Sequence, residues 1–107
     1  MSVPLTQALG VNMTRQELVE IDIGDIMSSR ALHSALASAL NFPEWYGHNW
    51  DAFRDSITGL VEMPITLRVV GFDRLAARLP ADAANLKQCL FEMTVEQPES
   101  ASAIVYT

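Results

Sequence analysis

Hydrophobic positions along the chain switch between strand-like runs and helical spacing. Leu18, Val19, Ile21 and Ile23 form a short β-branched run closed by Gly24-Asp25, which predicts a strand. Ser28 or Ser29 offers an N-cap, and Leu32, Leu36 and Leu40 then recur at four-residue spacing through an alanine-rich stretch, the pattern of an amphipathic helix. Pro43 stops that helix, and Asn41 to His48 form a loop rich in aromatics. A second helix is predicted from Asn49 or Trp50 to about Thr58, ended by Gly59 as a C-cap. Its apolar stripe is Trp50, Phe53, Ile57 and Leu60, which assigns Trp50 and Phe53 to the core. Past Pro64, Ile65 to Val70 reads as a buried strand and Phe72 to Leu79 as a short helix. Ala81 to Val95 reads as a longer helix with Leu86, Leu90 and Met93 inward, and Ala103 to Tyr106 as a closing strand.

Strands separated by helices favour parallel pairing, because a parallel connection must cross over the sheet. The expected fold class is therefore α/β, a small three-stranded parallel sheet packed with about four helices. Residues 1–16 carry Pro4, Gly10 and scattered polar positions without a sustained period, and read as an N-terminal extension, partly ordered at most. Residues 17–107 form one domain, with no internal repeat.

Composition narrows the function. The chain has 107 residues, half of them hydrophobic, which suits one domain with a modest core. A net charge of −6 argues against direct nucleic-acid binding, which requires clustered Lys and Arg. The same charge suits a basic protein partner, although solubility alone accounts for it equally well. Cys89 is the only cysteine, so no internal disulfide forms, and Leu86, Leu90 and Phe91 around it suggest a buried thiol. No leader pattern and no apolar run of bilayer length is present, and the chain is expected to be cytoplasmic.

The candidate chemistry lies between Asn41 and Pro64. No Lys or Arg occurs from Ala31 to Phe53. Asp51 and Asp55 fall one helical turn apart on a face distinct from the apolar stripe, roughly 6 Å between β-carbons. Like charges at that spacing disfavour an isolated helix, and only Asp51 lies close enough to the N-terminus to be favoured by the helix dipole. A solvated helix face explains such a pair without any function; a binding surface is the sharper alternative. His48 with the two aspartates could in principle bind a metal or perform acid–base chemistry. There is, however, no second nearby histidine, no HExxH pattern and no cysteine pair, so neither a metal, a cofactor nor a catalytic residue is assigned. His33 reads as structural or surface-lying, Glu44 as a loop carboxylate, and Glu62 as either structural or a contact.

The tract Pro43-Glu44-Trp45-Tyr46-Gly47, followed by Asn49, Asp51-Ala52, Asp55, Thr58-Gly59, Val61-Glu62 and Pro64, resembles the barstar family of ribonuclease inhibitors. The resemblance runs from Ile21 to about Glu92 and resumes in the last strand, and includes Leu32-His33, Leu36 and Leu40. It implies an intracellular inhibitor that is monomeric when free and binds a basic ribonuclease, either a barnase-like enzyme or a related toxin nuclease. By resemblance, Trp45 and Asn49 are loop contacts and Asp51 and Asp55 the helix carboxylates, with Asp55 entering the phosphate pocket. Gly59 ends the contact helix, and Glu92 is an acidic contact from the last helix. Arg54 and Leu60 stand where the family's best-known member has aromatic residues, so the framework is kept while the specificity surface differs. Arg54, three residues from Asp51, could pair with it. An immunity protein against a ribonuclease toxin, and an interaction module that no longer inhibits, remain the alternatives.

Overall fold

The computed structural model describes residues 15–107; the expected extension lies, up to residue 14, outside the described residues. Three strands form one parallel sheet, β1 (Leu18–Asp22), β2 (Thr66–Val70) and β3 (Ala103–Tyr106), in the order β1-β2-β3. Val69 is opposite Ile21 on one side and Tyr106 on the other. Ile21, Leu67 and Val69 are buried under the helices, while Glu20 and Arg68, paired in register across the strands, approach to 3.7 Å on the exposed face. One face is thus packed and the other wet, as period-two alternation requires. The expected fold class holds.

Four helices cover the packed face among the described residues: α1 (Ser29–Leu40), α2 (Trp50–Asp55), α3 (Phe72–Arg78) and α4 (Pro80–Glu96). Ser28 caps α1, its hydroxyl accepting from the Ala31 N–H at 3.1 Å, and Leu32, Leu36 and Leu40 are buried as their spacing predicts. The helix ends before Pro43. Asn41 takes a left-handed conformation (φ 60°), and the Phe42 N–H turns back to the Ala37 carbonyl at 2.9 Å. Pro80 opens α4, where its missing N–H costs nothing, and Ala83, Leu86, Cys89, Leu90 and Met93 form its buried face. The lone thiol is a core group.

The second helix departs from expectation. After Asp55 the backbone widens to a π-type coil, Ser56–Leu60, in which the Val61 N–H reaches back to the Ser56 carbonyl at 3.1 Å. Gly59 lies inside this coil with no left-handed φ and is not a C-cap. Two side chains favour the wider turn: the Thr58 hydroxyl donates to the Arg54 carbonyl at 2.7 Å, and the Gln97 amide donates to the Thr58 carbonyl at 2.8 Å. A wider coil turns less per residue. Phe53 and Ile57 are accordingly buried as expected, whereas Leu60, the last member of the predicted stripe, is 49% exposed. Trp50 is half-buried, packed against the core with its indole N–H on Asp82 at 3.0 Å.

Arg15 ties the start of all three strands together. Its guanidinium donates to the carbonyls of Met63 (2.9 Å) and Pro64 (3.0 Å) before β2, and reaches Ser100 and Ala101 before β3. The Gln16 carbonyl, next in sequence, accepts from the Ile65 N–H at 2.9 Å. Charge-assisted bonds to partly buried carbonyls are worth about 1.5–3 kcal/mol. Arg15→Ala should therefore lower unfolding free energy by about 2 kcal/mol, read as an earlier urea midpoint with an unchanged m-value.

Candidate functional site

The loop after α1 is held by its aromatics. Phe42 and Tyr46 are buried with ring centroids 4.9 Å apart, and Phe42 meets Phe53 of α2 at 5.8 Å. The Tyr46 hydroxyl sits 2.6 Å from Nδ1 of the buried His33 on α1, and 3.4 Å from the Asn49 carbonyl. A buried phenol needs a polar partner, and this one is supplied by two elements at once. His48 adopts φ 53°; its Nδ1 donates to the Tyr46 carbonyl at 3.0 Å, leaving Nε2 to accept from the Ser34 hydroxyl at 3.2 Å. Both ring nitrogens of His48 are thus occupied within the loop. With Tyr46 turned in, its neighbour Trp45 is turned out, 72% exposed.

Asn49 starts α2. Its side-chain oxygen accepts from the Ala52 N–H at 2.8 Å and its amide donates to the Gly47 carbonyl at 3.1 Å, so the residue expected as a contact is also the helix cap. Between loop and helix lies a groove of about 330 Å³, walled by Trp45, Tyr46 and Gly47 on one side and by Ala52, Asp55, Ser56, Gly59 and Leu60 on the other. Four of the residues singled out from the sequence therefore meet at one place: Trp45, Asp55, Gly59 and Leu60. Asp51 stands apart at the helix start, with its side chain almost fully in solvent. Asp55, also exposed, has no cationic partner within 4 Å among the described residues.

Arg54 and Glu92 are brought together on the flank where α2 packs on α4. Nε and an amino group of Arg54 both reach one Glu92 oxygen, at 3.0 and 2.8 Å, and the Gln88 amide donates to the other at 2.9 Å. The anticipated contact of Arg54 with Asp51 is present but longer, 3.8 Å. The Gln88 amide and the Arg54 guanidinium together hold the Glu92 carboxyl below the usual carboxylate range. Glu92 therefore does not offer the unpaired charge that the sequence suggested.

Of the residues that position the site, the sequence left His33 as structural or surface-lying and did not single out Asp82. His33 is buried beneath the loop, its ring 4.4 Å from that of Trp50, and Asp82 receives both the Trp50 indole N–H and the Ser29 hydroxyl. The available signal was slight: a histidine beside Leu32 on the buried edge of α1. Burial pushes the His33 imidazole down from its ordinary value, with His48 acting in the same direction and the Asp82 carboxylate opposing.

Helix, loop and groove form one face of the domain, which carries the exposed carboxylates of α2. The barstar family model, described as barstar (barnase inhibitor), matches residues 16–106, and the chain belongs to this family. Members of the family are inhibitor proteins, not enzymes. The chain is also similar to a Bacillus subtilis (strain 168) protein named "Putative ribonuclease inhibitor YrdF", with 32% identity over 85 residues, covering 79% of this chain and 93% of that one.

Two measurements test this construction. Asn49→Ala should cost about 1 kcal/mol of stability through the lost cap, measured by urea denaturation. For His33, the unfolded ring binds a proton near pH 6.5 while the buried ring resists it, so the unfolded chain takes up more protons below that pH. Stability should fall as pH drops below about 6.5, and His33→Gln should flatten the slope of urea midpoint against pH between about 7 and 5.

Proposed function

We propose that this protein inhibits a basic ribonuclease by placing the Asp55 carboxylate in the enzyme's phosphate-binding pocket. The supporting observation is the position of Asp55: exposed, unpaired among the described residues, and at the wall of a preformed groove beside the outward-facing Trp45. A ribonuclease active site gathers cations to receive phosphate. A carboxylate already fixed on a helix can make charge-assisted hydrogen bonds there with little ordering cost, and its backbone excludes RNA. Trp45 supplies the large rigid contact area typical of an interface anchor, Gly59 and Leu60 shape the groove floor, and Asn49 holds the loop-to-helix junction. Asp51 adds negative potential that steers encounter. The protein works as a monomer in the cytoplasm, where an inhibitor shields the cell that makes the nuclease.

The changed side chains at Arg54 and Leu60 favour a target other than barnase itself, such as a ribonuclease toxin to which this chain confers immunity. Asp55→Ala should weaken inhibition by about a hundredfold or more, because a cationic pocket is left buried and unpaired. It should leave stability unchanged, since no contact within the domain is lost. Inhibition assays and calorimetry against a panel of small basic bacterial ribonucleases, barnase included, provide the test. Undiminished inhibition by the variant would show that another part of the surface binds. Raising NaCl from 50 to 300 mM should slow association by about tenfold and change dissociation little.

A further inference from the structure

Three carboxylates, Asp51, Asp55 and Glu92, occupy this face and its flank, and Arg54 divides them unequally. Its guanidinium holds Glu92 at 2.8 Å and approaches Asp51 at 3.8 Å, while Asp55, next in sequence, faces the groove. Gln88 supports the arrangement from one turn earlier on α4, so Glu92 has both oxygens occupied and cannot turn outward without losing both partners. Two Arg54 nitrogens on one oxygen and the Gln88 amide on the other fix the direction of the Glu92 carboxylate.

Resting on the inhibitor reading above, we infer that Arg54 is the specificity-determining residue of this face, engaging Glu92 and setting a positive charge beside Asp55, and so selecting a nuclease whose surface beside the phosphate pocket is neutral or acidic. A partner with a second exposed cation at that place would meet a guanidinium instead of a carboxylate. Like charges opposed across an interface discriminate against a partner more effectively than a missing contact does. Arg54 is about two-fifths exposed, enough to be felt by a docked protein. A nuclease offering a carboxylate there would complete the guanidinium's remaining donors.

Barnase, a basic ribonuclease, serves as the probe. Calorimetry and inhibition assays compare the unaltered protein with Arg54→Ala, Glu92→Ala, the double variant and Asp55→Ala. Arg54→Ala should bind barnase at least about tenfold more tightly, because Glu92 is released and no cation remains beside Asp51 and Asp55. Glu92→Ala should bind less tightly than the unaltered protein, since Arg54 loses its internal counter-charge. The double variant should lie between the two. Weaker, equal or still undetectable binding by Arg54→Ala overturns the inference.

In the free protein, carbon-detected NMR titration of Glu92 gives a readout independent of any nuclease. The carboxyl should titrate below its ordinary value and move upward in Arg54→Ala; no movement also overturns the inference. The two proposals fail differently. If Asp55→Ala loses binding while Arg54→Ala gains none, only the selective role of Arg54 falls. If Asp55→Ala inhibits as well as the unaltered protein across the ribonuclease panel, the phosphate-mimic reading falls whatever Arg54 does.

Discussion

The face made by the loop and α2 depends on how Tyr46 is held. Its ring fills the space between Phe42 and His33, and its hydroxyl bonds to a histidine from one helix while lying within reach of the carbonyl that begins the next. A loop without secondary structure has no ladder to define its shape, so its conformation must come from side chains and local turns. Here a buried phenol does this, with the Tyr46 N–H closing a turn onto Pro43 and His48 bridging to Ser34. Once Tyr46 is inside, Trp45 must lie outside, Gly47 meets the Asn49 cap, and α2 starts at a defined place and angle. Asp55 inherits its position from that chain of contacts.

Two polar side chains buried under the loop, Tyr46 and His33, bond to each other. Burial raises the Tyr46 hydroxyl above its ordinary value and lowers His33, so both are neutral near pH 7 and need no counter-ion. The charged groups lie above them on the surface, where water moderates their cost. This layering lets the domain carry adjacent carboxylates on α2 without burying any of them. Arg54 then tempers the surface field by pairing across to α4.

The wide coil at Ser56–Leu60 links the fold to the shape of the groove. A regular helix would bring Leu60 around to the stripe of Phe53 and Ile57; the wider turn leaves it beside Asp55 at the groove. The bonds that favour this coil come from Thr58, in the coil itself, and from Gln97, just past the end of α4. Local geometry beside the groove is thus set in part by a residue 39 positions further along the chain. Such departures from regular helix are commonly found where function requires a particular presentation.

The sequence by itself determined the three strands and the four helices of the described fold, though not the wide coil after α2, because alternation and four-residue spacing are local properties that burial then satisfies. It also marked Asp51, Asp55 and Trp45, since an acid pair away from the apolar stripe and surplus aromatics in a loop are visible without coordinates. Tertiary structure decided the rest. Which of Trp45 and Tyr46 turns inward depends on His33, thirteen residues before Tyr46. The partner of Arg54 is a glutamate 38 residues away, which a reading of one helix could not place ahead of the nearer Asp51. Gly59 shows the same division: its residue type suggests a cap, but the Gln97 bond to the Thr58 carbonyl that helps carry the coil past it forms only when the end of α4 lies against that coil.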